Sequence, residues 1–211
     1  GGFSTGHGFL REPQSIQSYA ALAAIAIQSN QNDQHGGQSI PNFDYGMALG
    51  VAKTFRKAYT NKLMEGVEDY LDTEDEKDTV LQVMAQAKEK TGHGPRLEIG
   101  AQEYDAAVAQ ALCERYDIEP KRATRLVEVA RHRANRKADR DTYQAMEGFV
   151  HNLNTMHSRA GAQTPFSSIN YGTDTSPEGR MVIRNILLAT DAGLGHGETC
   201  IFPIHVFKVK E

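Results

Sequence analysis

The chain has 211 residues, 39% of them apolar and 24% charged, with a formal net charge of -4. That length suffices for one large domain or two small ones with a sizeable core, and no general electrostatic attraction to nucleic acid or membrane follows from the charge. There is no apolar run near 18 residues and no basic-then-apolar leader pattern, and two cysteines, Cys113 and Cys200, are too few for a disulfide framework or a four-cysteine zinc site.

In chain order, residues 1–14 hold four glycines and Pro13 and read as loop. Ser15 is placed to cap a helix over about 15–30, with Ile16, Tyr19, Ala20, Ala23 and Ile27 on one stripe. The polar run from Ser29 to Pro41, including His35-Gly36-Gly37-Gln38, reads as a loop whose glycine pair permits close backbone approach to a ligand. A helix is expected over 46–71, with Val51, Phe55, Tyr59 and Leu63 at helical spacing and Lys53, Arg56, Lys57 and Lys62 as its basic residues. Thr73 and Glu76 fit a capping box that opens a helix over 74–90, which Gly92-His93-Gly94-Pro95 breaks.

A further helix is expected over 101–116, then a turn at Asp117–Glu119, and Pro120 suits the first turn of a helix over 120–138. That stretch carries seven Lys and Arg, read as a solvated face because no aromatic residue interleaves to stack bases. Another helix follows over 139–157. Phe166–Tyr171 alternates like a strand, with Ser168 and Asn170 on one side and Ser167, Ile169 and Tyr171 on the other. Ser176-Pro177-Glu178 is a helix start with a cap, a proline at the first helical position and an acid that favours the dipole. Glycines 193, 195 and 197 end it, and residues 200–209 read as a buried parallel strand containing His205. The predicted class is α/β, mostly helical for the first two thirds and then a βαβ unit.

Chemistry-bearing signals are few. The Gly36-Gly37 loop could hold a phosphate through backbone N–H groups, but it lacks the Lys-Ser/Thr of a Walker loop and the preceding strand of a dinucleotide fingerprint. None of the eight histidines sits in a His-Glu-x-x-His pattern, so no bound metal is expected. No nucleophile elbow occurs. Ser167, Ser168 and Asn170 are polar residues in a strand otherwise suited to burial, and they need partners: a polar ligand or a neighbouring strand. From the residues alone the reading stops at a ligand-binding α/β domain.

Three long strings go further. Gly8-Phe9-Leu10-Arg11-Glu12-Pro13 with Ser18–Ala23 and Gln28–Gln38, then Asn152–Gly172, then Gly195-His196-Gly197-Glu198-Thr199-Cys200-Ile201-Phe202-Pro203, together resemble the catalytic domain of anaerobic (class III) ribonucleoside-triphosphate reductases. The resemblance implies a cytoplasmic enzyme that reduces ribonucleoside triphosphates by thiyl and glycyl radical chemistry, usually with formate as reductant. It implies a ten-stranded α/β barrel of which residues 1–211 are a single partial domain, the amino-terminal half. It implies a homodimer, a radical activase that uses S-adenosylmethionine, a structural zinc, and ATP or deoxynucleoside triphosphates as effectors. The family's Met-Gly-Cys-Arg string, its glycyl-radical string, its zinc cysteines and its nucleotide cone do not occur here. The chain is therefore expected to be an interior segment with no catalytic residue, metal or cofactor of its own, inactive alone. By resemblance, Ser167, Ser168 and Asn170, with Arg159 and Gln163 nearby, are candidates for substrate contacts. His35, Gly36, Gly37, Gln38, Lys53, Arg56 and Lys57 are candidates for effector binding, the three basic residues being equally readable as an exposed helix face. The alternatives are a fragment of another glycyl-radical barrel or a non-catalytic nucleotide-binding or dimerisation domain.

Overall fold

The computed structural model describes residues 11–34, 36–97, 101–156 and 164–209. Six helices and three strands follow in the order α1 (Ile16–Asp33), β1 (Gln38–Ile40), α2 (Phe43–Leu71), α3 (Lys77–Thr91), α4 (Gln102–Tyr116), α5 (Pro120–Thr155), β2 (Ser167–Tyr171), α6 (Pro177–Ala192) and β3 (Ile204–Phe207). The strands form one parallel sheet in the order β1-β2-β3. The architecture is mostly helical with a small parallel sheet, in keeping with the α/β class predicted.

Two helices organise the packing. α2 has 29 residues and α5 has 36, about 43 and 54 Å at 1.5 Å per residue. Each is long enough to enter two cores. One core lies among α2, α3, α4 and the first half of α5, around Phe55, Tyr59, Leu63, Tyr104 and Leu112. The other joins the start of α2 and the end of α5 to α1, α6 and β2, around Ile16, Phe43, Phe149, Ile169 and Ile186. α5 approaches its neighbours closely because its buried stripe is largely alanine, at positions 123, 130, 134, 138 and 145.

α5 corrects the two helices expected over 120–138 and 139–157. No proline or glycine interrupts residues 121–147, and the buried stripe runs on through Ala138, Asp141, Thr142 and Ala145 without a phase change. Charge density at Lys137–Asp141 imitates a boundary, yet Lys137 merely pairs with Asp141 one turn on at 3.0 Å. α1 is also longer than expected. It continues to Asp33 because Gln31 is buried, and the Gln34 N–H closes the end on Asn30.

The core around Phe55 and Tyr59 holds a charged pair. Arg131 donates two hydrogen bonds to Asp105, one of them at 2.8 Å, and a third at 2.7 Å to the Arg96 carbonyl. Its guanidinium lies 5.6 Å from the ring centres of both Phe55 and Tyr59. Tyr59 also donates to Asp105, at 2.9 Å. Burial opposes the charge on Arg131, but the Asp105 carboxylate outweighs it and holds the guanidinium pKa above its ordinary value. Tyr59 is pushed up by burial first and by Asp105 second. One carboxylate thus fastens α2, α4 and α5 together.

The helix start at Ser176 matches expectation: its hydroxyl accepts from the Gly179 N–H at 3.0 Å. The start of α3 differs. It begins at Lys77, and the Thr73 hydroxyl donates to the Glu76 carboxylate at 3.4 Å, with no side-chain cap at Glu76. α2 begins at Phe43, three residues earlier than expected, because Phe43 and Asp44 are both fully buried. The run 200–209 yields only a four-residue strand, and its residues are mostly exposed because β3 is an edge of the described sheet with no helix of the described residues across its outer face.

Candidate functional site

The sheet has two unlike faces. β2 alternates strictly, with Ser167, Ile169 and Tyr171 buried and Ser168 and Asn170 half-buried. In a parallel ladder registered neighbours share a face. Ser39 is paired with Ser168, Ser168 with Ile204, and Asn170 with Val206. The outer face therefore carries Ser39, Ser168 and Asn170 in a polar group flanked by exposed Ile204 and Val206. The inner face carries Ser167, Ile169, Tyr171 and His205.

This sorts the candidates for substrate contact. Ser168 and Asn170 point outward together. Ser167 points the other way with no exposure, and its hydroxyl has no hydrogen-bond partner among the described residues. It cannot share a ligand with Ser168 from the same face. Arg159 and Gln163 lie outside the described residues, as does His35.

β1 was hidden in the polar run read as loop. The Gln38 N–H donates to the Phe166 carbonyl at 2.8 Å and starts the ladder with β2. Gly36 has φ +104 and open space where a Cβ would stand, a conformation natural to glycine. Gly37 has another reason: a Cβ there would stand 2.9 Å from the Phe166 ring. Its close approach is to protein.

The basic candidates lie elsewhere. Lys53 pairs with Glu12, donates to the Pro13 carbonyl at 2.8 Å and sits 5.4 Å from the Tyr19 ring centre. The hydrogen bond to Glu12 raises its pKa. These partners belong to the start of α1, whereas Gly36–Gln38 follow its end. Tyr19 to Asp33 is about 21 Å of helix, so the structure does not bring Lys53 to the glycine loop. Arg56 and Lys57 are exposed one turn further along α2 and make no ion pair among the described residues.

The carboxyl ends of β1 and β2 are tied by a residue that the sequence reading passed over. Asp44 is fully buried and accepts from three backbone N–H groups, those of Tyr45 at 3.0 Å, Gly172 at 2.8 Å and Asp174 at 3.0 Å. It holds the chain leaving β2 against the first turn of α2. Lys208 continues the tie by donating from its backbone to Tyr171 at 2.7 Å and from its side chain to Pro41 at 2.9 Å. Gly172 has φ +116, and a Cβ would meet the Lys208 carbonyl at 2.4 Å, so only glycine fits.

Cys200 and Cys113 are both free and partly buried, and the Cys200 thiol rests against the Thr190 carbonyl at 3.5 Å. No group of three or more His, Cys, Asp or Glu able to hold a metal occurs among the described residues. No helix of the described residues is long and apolar enough to cross a membrane.

A family profile for anaerobic ribonucleoside-triphosphate reductase matches residues 1–211. The chain belongs to that family. Among curated relatives, the anaerobic ribonucleoside-triphosphate reductase of Escherichia coli (strain K12) is 35% identical over 79 residues, which are 37% of this chain and 11% of that protein. The enzyme of the same name from Enterobacteria phage T4 is 40% identical over 79 residues, 37% of this chain and 13% of its own length. The Salmonella typhimurium enzyme is 34% identical over a stretch of the same length. The matched stretch thus spans little more than a tenth of these relatives. Membership makes the chain part of an oxidoreductase family. The strings that suggested it in the sequence sit at the places where the structure builds α1, β1, β2 and the approach to β3.

Proposed function

We propose that this chain supplies the substrate-facing wall of an anaerobic ribonucleoside-triphosphate reductase, an enzyme that converts ribonucleoside triphosphates to deoxyribonucleoside triphosphates by thiyl and glycyl radical chemistry with formate as reductant. The observation that carries the reading is the polar group Ser39, Ser168 and Asn170 on the face of a parallel sheet that no helix of the described residues covers. Hydroxyl and amide groups of this kind donate to and accept from ribose hydroxyls, and held on strands they keep their geometry. In a closed ten-stranded barrel the face away from the helices is the interior. β1 and β3 are the edges at which the remaining strands would join.

The radical-bearing cysteine and glycine, the zinc and the nucleotide cone belong in this reading to other parts of the reductase, as does the docking of the activase. Effector binding is assigned to the dimer-facing surface of α1 and α2. Arg56 and Lys57 are free to meet phosphate oxygens there, whereas an anion at Lys53 has to displace Glu12. The glycine loop Gly36–Gln38 with His35 forms a separate edge of that surface.

The test is anaerobic turnover. The reductase that contains this chain, activated and given formate, converts ribonucleoside triphosphates to their 2′-deoxy products. The 211-residue chain alone gives none under the same conditions. Product formation by the chain alone, or none by the activated reductase, overturns the reading.

A further inference from the structure

The basic run of α5 is not a uniformly solvated face. Arg136 and Arg140 stand one turn apart, and Arg184 of α6 joins them across the α5–α6 groove, where the three line an open recess of about 370 Å³ together with Asp139, Tyr143 and Leu188. Like charges at this helical spacing repel, and Arg136 and Arg140 have no hydrogen-bond or ion-pair partner among the described residues. The one carboxylate among the described residues of the recess is already engaged. Asp139 accepts from buried Asn185 at 2.9 Å through one oxygen and holds Arg184 at 3.5 Å through the other. Asp139 therefore positions Arg184 over the groove and leaves the other two guanidinium groups uncompensated. Lys137, the nearby lysine, is turned away to Asp141.

We propose that this recess binds an oligophosphate chain, held by Arg136, Arg140 and Arg184 and bordered by Tyr143 and Leu188. Guanidinium groups present paired N–H donors that match phosphate oxygens two at a time. The recess has the size of a small-molecule site. Arg122, Arg125 and Arg133 line a different recess beside Tyr70. None of those three lines the recess of Arg136, Arg140 and Arg184, whose size suits a compact ligand. The site is on the helical layer, independent of the sheet face and of the α1–α2 surface.

Calorimetric titration of the chain with sodium tripolyphosphate tests this. Saturable one-to-one binding is expected, weakening as salt is raised. The Arg136→Gln/Arg140→Gln variant binds at least about tenfold more weakly, as the loss of charge-assisted contacts requires. Both residues are exposed, so circular dichroism of the variant should match the parent, and Arg184→Gln provides a second, independent loss. A nucleoside triphosphate run in parallel separates the sources. Tighter binding than tripolyphosphate, abolished by Tyr143→Ala, identifies a nucleotide, and equal binding identifies a free oligophosphate; either supports the site. No heat at millimolar tripolyphosphate, undiminished binding in both arginine variants, or a single-stranded oligonucleotide that binds through the same arginines more tightly than either small ligand overturns it.

Discussion

Tyr171 Oη lies 2.9 Å from His205 Nδ1, joining β2 to β3 on the inner face of the sheet. The Thr190 hydroxyl donates to the Ile186 carbonyl at 2.7 Å, so its oxygen accepts from His205 Nε2–H at 3.1 Å. Nδ1 then accepts the Tyr171 proton in the neutral imidazole. Burial lowers its pKa from the ordinary 6.5. A histidine depressed in the folded state favours folding above its unfolded value, and that contribution is lost as pH falls below about 6.5 toward the folded value. Thermal melts between pH 8 and pH 5 should show the melting temperature falling through this window, and His205→Gln should flatten that part of the profile. An unchanged slope in the variant would show that other groups carry the dependence.

Asp44 is expected to be the most sensitive polar position near the sheet. Asp44→Ala leaves three backbone N–H groups in a buried setting without their acceptor, a loss of about 3 kcal/mol or more. Chemical denaturation should show it as a lower midpoint. Asp44→Asn retains one acceptor oxygen and should fall between the two. A midpoint within error of the parent for the alanine variant contradicts the role assigned here.

Arg131 and Asp105 should behave as a coupled pair. Arg131→Met removes the guanidinium and leaves the Asp105 carboxylate partly buried with Tyr59 as its one side-chain donor among the described residues, at a cost on the order of 2–3 kcal/mol. A second change, Asp105→Asn, should restore part of it, because the stranded charge is gone. Additive losses in the double variant would refute the coupling.

The sheet edges should make the isolated chain self-associate. β1 and β3 each offer an unpaired side, and Ile204, Val206 and Phe207 are exposed on or beside β3. Light scattering should show species larger than the monomer, and Val206→Lys should reduce them. A strictly monomeric parent chain would count against an open edge.

What could be read in advance was local. The cap at Ser176 needs only Ser, Pro and Glu in sequence, and the alternation of β2 is visible in five residues, including which side Ser168 and Asn170 share. Non-local facts were out of reach. β1 is three residues long and polar, and it becomes a strand only because Phe166 and Ser167 lie beside it. Ser39 was therefore missed as the neighbour of Ser168. Lys53 looked free until Glu12, 41 positions away, came to meet it. The charged middle of α5 looked like a boundary because its alanine stripe is visible as one face only against the partners that cover it.

The central claim is that the outer face of the sheet, and not its inner face, meets the substrate. The most direct measurement is the KM for ribonucleoside triphosphate in the activated reductase carrying Ser167→Ala, Ser168→Ala or Asn170→Ala. Removal of an outward hydrogen-bonding group should raise KM roughly tenfold for Asn170→Ala, with a smaller rise for Ser168→Ala. Ser167→Ala should leave KM unchanged, since its buried hydroxyl has no partner among the described residues to lose. An unchanged KM in Asn170→Ala, or a rise confined to Ser167→Ala, would contradict the account.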